Sequence, residues 1–380
     1  MKEDHTRLVL VRPGHVCRGF LLQDEDYMDL ALNLAERGRG LTHPNPRVGS
    51  VVVRAGEVVG QGYHRGPGTP HAEVEALAQA GARACGATLY CTLEPCAHEG
   101  RTPPCADAIV AAGVQRVVVA LQDPNPLVDG RGFARLRQGD VSVDVMTGAP
   151  AQRAARLNAP FIKAVSSGLP LVTYKAAVSL DGKVALADGR PAQLSGPESR
   201  RLVHQMRARA DAVLIGAGTL RTDDPRLTVR LSEGRDPLRV VMTASGKLPR
   251  QAQLFAGAKD APTLVLAEQI SDEDERVLKS AAVQVERFRG GPAGALRRLA
   301  ARGVLDVLLE GGPTLAAALL TGGLVDRVAI FVTPLLVGRG APDLIALPAV
   351  TGLQGARRLT NLVWRELGQD MLLEADVEVA

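Results

Sequence analysis

Three residues in the N-terminal third of the chain have the chemistry of metal ligands: His71, Cys96 and Cys105. One imidazole and two thiolates form a set that zinc accepts. Three protein ligands leave a fourth tetrahedral position for water, the open arrangement of a catalytic rather than a structural site. Glu73 lies two residues beyond His71. In a helix interior that spacing would oppose the two side chains, so both are expected in a helix's first turn, where the backbone is still opening and Glu73 can reach the water. The metal lowers the pKa of such water towards about 7, and a positioned carboxylate then shuttles its proton, an effect of roughly 10²–10⁴-fold. Attack on an amidine-like ring carbon and protonation of departing ammonia need one such residue, so the constellation points to hydrolytic deamination.

A second constellation is Glu310-Gly311-Gly312-Pro313-Thr314-Leu315. It reads as a strand, a glycine pair and a helix start marked by Pro313, so backbone N–H groups should face an anion such as a dinucleotide phosphate. A glycine pair by itself is equally an ordinary tight turn. No Gly-x-Gly-x-x-Gly follows a strand near the start of this half, which disfavours a Rossmann dehydrogenase. Among the remaining candidates, Cys85 and Cys91 read as small hydrophobes, and His43 and His64 as structural or exposed. By residue type alone His98 is a possible fourth ligand, which would close the site. Arg101, on a loop beside the metal, suits an anionic group or is a solvated surface charge. Asp181 and Gly182 read as a structural turn.

The elements that must position these residues alternate between helix and strand. A helix is expected over 27–37, a hairpin of 48–54 and 58–64 about Ala55-Gly56-Glu57, and a helix over 71–82. A buried strand over 87–93, a helix over 106–112 and strands over 116–121 and 141–146 complete an α/β sandwich, followed by one helix over 151–165. The second half begins again with a strand over 171–178, a helix over 197–210 and a strand over 212–215. Further strands fit 238–242, 263–266, 283–288, 304–309 and 325–332, a second α/β unit. The expected organisation is an N-terminal extension (1–24), a deaminase unit (25–168) and a second unit (169–380), and 380 residues are enough for two cores.

The net charge of +4 is spread over the chain and forms no basic tract of the kind that binds nucleic acid. Five cysteines, an odd number, with no signal peptide argue for a reducing cytoplasm and against a disulfide framework. The apolar run Leu8–Val11 is too short for a membrane span. A homo-oligomer acting on a small molecule, without nucleic acid or membrane, is expected.

His-x-Glu with Pro-Cys is the signature of zinc nucleobase deaminases, except that the second cysteine here follows after eight residues rather than two. The stretch Thr92-Leu93-Glu94-Pro95-Cys96-Ala97-His98-Glu99-Gly100-Arg101-Thr102-Pro103-Pro104-Cys105 resembles the bifunctional riboflavin-biosynthesis deaminase-reductases. So do Thr42-His43-Pro44-Asn45-Pro46-Arg47-Val48-Gly49 and Gln122-Asp123-Pro124-Asn125-Pro126. In the second half the resemblance rests on Lys175–Lys183, Thr219–Arg230 and Glu310–Leu315. It implies a cytidine-deaminase-like α/β/α sandwich followed by a dihydrofolate-reductase-like α/β domain, with Zn2+ and NADPH as cofactors and a phosphoribosylaminopyrimidine as substrate. It further implies that Asn45, His98, Arg101, Asp123 and Asn125 contact substrate in the first unit. In the second, Ala177, Thr219, Asp223 and the turn Gly312, Pro313, Thr314, Leu315, Ala316 approach NADPH, while Arg207, Leu227, Arg230 and Glu310 approach substrate. Asp223 or Glu310 would stabilise or protonate an imine, or is simply a helix-end or turn carboxylate.

The chain departs from that family's pattern in two places. Pro191-Ala192-Gln193-Leu194-Ser195 replaces the usual Ser-x-Trp-Ile-Thr, and Thr243-Ala244 replaces an Asp-Ser pair, so weaker binding in the reductase half is expected. Two other readings remain at this stage: a deaminase of another base with a vestigial second half, and a scaffold built on a structural zinc.

Overall fold

The computed structural model describes residues 22–97, 103–126, 128–188, 190 and 192–378. Its first unit is built on β1 (Gly49–Arg54), β2 (Glu57–Tyr63), β3 (Thr88–Cys91), β4 (Arg116–Val119) and β5 (Ser142–Val145). They form one sheet in the order β2-β1-β3-β4-β5. The expected hairpin is present, its turn made by Ala55 and Gly56 at φ 50 and 80, the left-handed conformations that tight hairpin turns require. Helices α1 (Asp24–Glu36), α2 (Ala72–Ala80), α3 (Cys105–Ala111), α4 (Arg131–Gln138), α5 (Ala149–Leu157) and α6 (Ala159–Ser167) complete the unit. Side-chain alternation sorts the core into two layers. Val52, Leu89 and Val117 pack with Ala76, Ile109 and Leu136 of α2, α3 and α4, whereas Val51, Tyr90 and Val118 pack with Met28, Leu32 and Ala154 of α1 and α5.

One element differs from expectation. The single helix over 151–165 is two, broken at Asn158 with Pro160 opening α6. Proline supplies no N–H and disfavours a helical residue before it. Asn158, 1% exposed, uses its side chain elsewhere: it accepts from the backbone N–H of Arg47 at 2.8 Å and donates to the Arg47 carbonyl at 2.9 Å. Helix α4 was not expected, because its arginine-rich sequence offers few apolar positions.

The second unit contains β6 (Leu171–Ser179), β7 (Ala212–Gly216), β8 (Leu238–Thr243), β9 (Thr263–Ala267), β10 (Gln284–Arg287), β11 (Asp306–Leu309), β12 (Arg327–Thr333), β13 (Leu359–Leu367) and β14 (Asp370–Val377). Their order is β10-β9-β8-β7-β11-β6-β12-β14-β13, parallel as far as β12 and antiparallel beyond. One face carries α7 (Pro197–Arg209), α8 (Ala217–Asp223), α9 (Gln253–Ala256) and α10 (Asp272–Ser280); the other carries α11 (Gly291–Ala301) and α12 (Pro313–Thr321). Strands covered on both faces read as continuous apolar runs, and Ala212–Ile215 and Val240–Val241 are fully buried. The units touch where His43 meets Asp211 and Lys163 of α6 meets Asp326.

Candidate active sites

His71 is the N-cap of α2, extended at φ −73, ψ 160, and Glu73 is the second residue of the helix, the placement that their spacing demanded. Two glycines set the depth of that helix start. A Cβ at Gly60 or Gly62 of β2 would come within 2.1 Å of the Ala76 carbonyl oxygen or 2.4 Å of that of Ala72, so only glycine allows α2 to lie so close to the sheet. Cys96 follows β3 on a loop, and Cys105 opens α3. The loop is moored by Glu94, 3% exposed, whose carboxylate accepts from the N–H groups of Asp123 (3.3 Å), Gly130 (3.0 Å), Gly132 (2.9 Å) and Phe133 (3.3 Å). Such charge-assisted bonds are strong enough to fix a loop. Sequence reasoning gave Glu94 no role; a charged residue inside an apolar strand end was the available signal.

The ligand atoms of His71, Cys96 and Cys105 all lie within 4.8 Å of one another. His71 Nδ1 is 3.1 Å from Cys105 Sγ and 3.6 Å from Cys96 Sγ. Tetrahedral bonds of about 2.1 Å to nitrogen and 2.3 Å to sulfur imply ligand separations of roughly 3.5–3.8 Å, so the donor set fits zinc in type, with the Cys96 spacing inside that range and the Cys105 spacing of 3.1 Å somewhat below it. The hydrogen bond between the two thiols pulls Cys96 down, with His71 adding to the effect, and pushes Cys105 up. Burial raises the Glu73 carboxyl. Of the other cysteines, Cys91 is buried in the core and Cys85 is exposed, as expected for residues outside the metal set.

A cavity of about 500 Å³ opens onto this cluster, lined by Asn45, His64, Glu73, Asp123, Asn125 and Phe161 among others. Asn45 Nδ2 lies 3.1 Å from His64 Nε2, and Asp123 Oδ1 accepts from the Asn125 N–H at 2.9 Å. His64 therefore belongs to the cavity wall, 4% exposed, where the sequence offered only a structural or surface role. His98 and Arg101 lie outside the described residues.

In the second unit Thr219, Glu310 and the turn Gly312–Ala316 follow the carboxyl ends of β7 and β11, where open α/β sheets bind ligands. Gly312 is the N-cap of α12, and its N–H donates to Thr219 Oγ1 at 2.9 Å. A Cβ on Gly311 would come to 3.0 Å from the side chains of Leu309 and Leu315. Beyond Pro313, the amides of Thr314 and Leu315 lack intrahelical acceptors, as at any helix start, and Ala316 closes the first turn onto the Gly312 carbonyl. This end fits an anionic dinucleotide by its donors. Ala177 lies on β6, partly buried against Val203 and Phe331, and Asp223 is exposed at the end of α8.

Glu310 is the hub of the polar cluster. Arg207 grips it with two bonds, 2.6 and 3.0 Å, and Lys175 approaches to 3.5 Å. Burial alone would raise its carboxyl, but Arg207 and Lys175 outweigh burial and hold it at about 2. Arg230 is exposed, with Nη1 donating to Thr228 Oγ1 at 2.6 Å, and its N–H donates to His204 Nδ1 at 2.9 Å. Burial, with Arg207 and Arg230 nearby, lowers His204 to about 4, so it stays a neutral acceptor. Leu227 is in the core, 2% exposed as a whole residue, on a backbone at φ 56. Lys175 and His204 were given no role from sequence. Asp181 caps the N–H groups of Val337 and Gly338 at 3.0 and 2.7 Å, a structural turn as read.

Residues 21–121 match the cytidine and deoxycytidylate deaminase zinc-binding region, and residues 170–373 match the RibD C-terminal domain. The chain is 40% identical to the riboflavin biosynthesis protein RibD of Aquifex aeolicus, covering 92% of this chain and 97% of that protein. It belongs to the RibD family. RibD of Escherichia coli is also 40% identical, over 93% of this chain and 99% of its own length. RibD of Acinetobacter baumannii superimposes with a TM-score of 0.83 at 38% identity, covering 93% of this chain and 99% of that one. A Thermotoga maritima diaminohydroxyphosphoribosylaminopyrimidine deaminase/5-amino-6-(5-phosphoribosylamino)uracil reductase gives 0.81 at 32%, covering 93% and 99%. As a RibD protein the chain is a bifunctional enzyme of riboflavin biosynthesis, a zinc-dependent deaminase joined to an NADPH-using reductase. Its folds are the expected deaminase-like and dihydrofolate-reductase-like pair, and a vestigial second half is not favoured. Among the described residues no helix is long and apolar enough to cross a membrane.

Proposed function

We propose that the enzyme deaminates 2,5-diamino-6-(5-phosphoribosylamino)pyrimidin-4-one and then reduces the ribosyl chain of 5-amino-6-(5-phosphoribosylamino)uracil to the ribitylamino product. The observation that carries the reading is the convergence of His71, Cys96 and Cys105 beside the buried carboxyl of Glu73. The three would hold zinc, which when bound supplies the Lewis acidity that makes water a nucleophile near neutral pH. Glu73 would hold the proton taken from the attacking water and pass it to the amino nitrogen that leaves as ammonia. Asn45, Asp123 and Asn125, with His98 and Arg101, orient the pyrimidine and its phosphoribosyl group.

In the reductase, NADPH supplies the hydride when bound. Thr219, Asp223, Ala177 and the turn Gly312–Ala316 are assigned to holding it; Arg207, Leu227, Arg230 and Glu310 are assigned to the substrate. Glu310 fixes Arg207 and Lys175 so that their remaining donors face the sugar phosphate or the imine formed by ring opening. The domain boundary is placed between 168 and 169, supported by α6 ending at Ser167 and β6 beginning at Leu171. A cytoplasmic location is supported by a site that needs reduced thiols. Self-association is supported by the edge strand β13, with Leu362, Val363 and Trp364 all exposed, since apolar sheet edges seek partners. Sedimentation should give a dimer or larger species, and a monomer at micromolar concentration removes that part.

Purified protein incubated with the diaminopyrimidine should release ammonia without NADPH, and should consume NADPH only after deamination. Neither signal appearing would overturn the reading.

A further inference from the structure

One short contact joins the two units and takes no part in either reaction as derived above. His43 Nδ1 lies 2.6 Å from Asp211 Oδ2, with the side chains 9% and 8% exposed. His43 is on the loop between α1 and β1 of the deaminase; Asp211 immediately precedes β7 of the reductase. The acceptor is rigidly held. Asp211 Oδ2 also accepts from the N–H groups of Leu305 (2.8 Å) and Asp306 (3.0 Å), and Oδ1 from Arg235 (3.1 Å).

Two residues beyond His43, Asn45 enters the deaminase cavity, and Pro44 and Pro46 line it as well. Just downstream, Asn158 clamps the backbone of Arg47 through both its N–H and its carbonyl. The strap from residue 43 to residue 47 is therefore held by its own unit at the downstream end and by the reductase at the upstream end, with Asn45 touching His64 between them. The zinc ligands sit at the N-cap of α2, at the start of α3 and on the loop after β3, and His71 stacks edge-on against His64, the partner of Asn45, at 5.4 Å.

We propose that the His43–Asp211 contact is a positioning device through which the reductase unit holds the substrate-binding strap of the deaminase. With the upstream anchor removed, the strap must be ordered when substrate binds, and that cost weakens binding without altering the reacting groups. The effect belongs in KM rather than kcat. This rests on the reading of Asn45 as a substrate contact.

The test measures ammonia release against substrate concentration in full-length variants, with zinc content determined for each. His43→Ala should raise KM about tenfold, with kcat and zinc within about twofold of the unmodified protein, as expected for loss of a hydrogen bond to a charged acceptor. His43→Asn, whose amide can donate from nearly the position of Nδ1, should restore KM to within about twofold. Asp211→Asn should raise KM severalfold and add little to His43→Ala, because both act through one contact. An unchanged KM in His43→Ala overturns the proposal, as does an asparagine no better than alanine, or two effects that multiply. Asn45→Ala separates the underlying reading: if it leaves KM unchanged, the assignment of Asn45 fails, whereas a raised KM there with a silent His43→Ala sinks the positioning role alone.

Discussion

Glu73, in the first turn of α2, and Glu310, directly after β11, both have largely buried carboxyls, and their surroundings drive them in opposite directions. Glu73 has burial against its charge, and its carboxyl is raised. Glu310 has the same burial, but Arg207 and Lys175 hold it at about 2. The first is built to take up and release a proton. The second is a permanent anion whose work is to fix two cations. Pairs of titratable groups driven apart by environment mark different tasks, and here the tasks belong to different reactions in different units.

The largest effect should come from removing a ligand beside Glu73. Cys105→Ser exchanges a thiolate for a weak hydroxyl ligand, so zinc content should fall well below one per chain and ammonia release should vanish, while NADPH consumption with deaminated substrate persists. Full zinc occupancy in that variant would exclude Cys105 from the site.

Glu310→Gln should be next. It leaves Arg207 and Lys175 without their anion, and breaking such a buried cluster costs roughly 3–5 kcal/mol. The pH dependence has a definite sign. Because the folded value of about 2 lies below the ordinary 4.5, the stabilisation is complete above the ordinary value and is lost as pH falls from there towards 2. The variant should show a flatter acid limb in that window. Trp364, the single tryptophan, lies in β13, so its fluorescence reports the reductase unit alone; an acid limb as steep as in the unmodified protein would contradict the role of Glu310.

The smallest effect concerns the departures from the family pattern. Thr243 is satisfied, its Oγ1 accepting from the Gly246 N–H at 3.1 Å, and Gln193 is exposed; Pro191 lies outside the described residues. Pro191→Ser with Gln193→Trp should restore a hydroxyl and an aromatic wall, lowering the apparent KM of reduction about tenfold or less while turnover stays within about threefold. A change confined to turnover would show that these positions do not touch ligand.

Much of this contrast is legible in the sequence. The His71–Glu73 spacing predicts the opening turn of α2, and Pro313 after two glycines predicts the start of α12, because both features follow from local backbone rules. What escapes sequence reading depends on partners remote in the chain. Lys175 reads as one more residue of an apolar strand until Glu310 is beside it. Glu94, His64 and His204 acquire meaning from backbone groups and side chains that only folding brings near. His43 reads as structural or exposed until Asp211, 168 residues on, is placed against it. Strand β13 lacks a buried face, so no alternation announces it, whereas Pro160 is a local sign of the break at Asn158, and only the bonds from Asn158 to Arg47 are out of sequence reach.

The most direct test of two carboxyls with two separate tasks is to assay Glu73→Gln and Glu310→Gln side by side for both reactions. Glu73→Gln should retain about one zinc per chain, lose ammonia release by roughly 10²–10⁴-fold and reduce externally supplied deaminated substrate at the unmodified rate. Glu310→Gln should release ammonia normally and lose reduction. Unimpaired ammonia release by zinc-replete Glu73→Gln, or both activities falling together in either variant, would contradict the account.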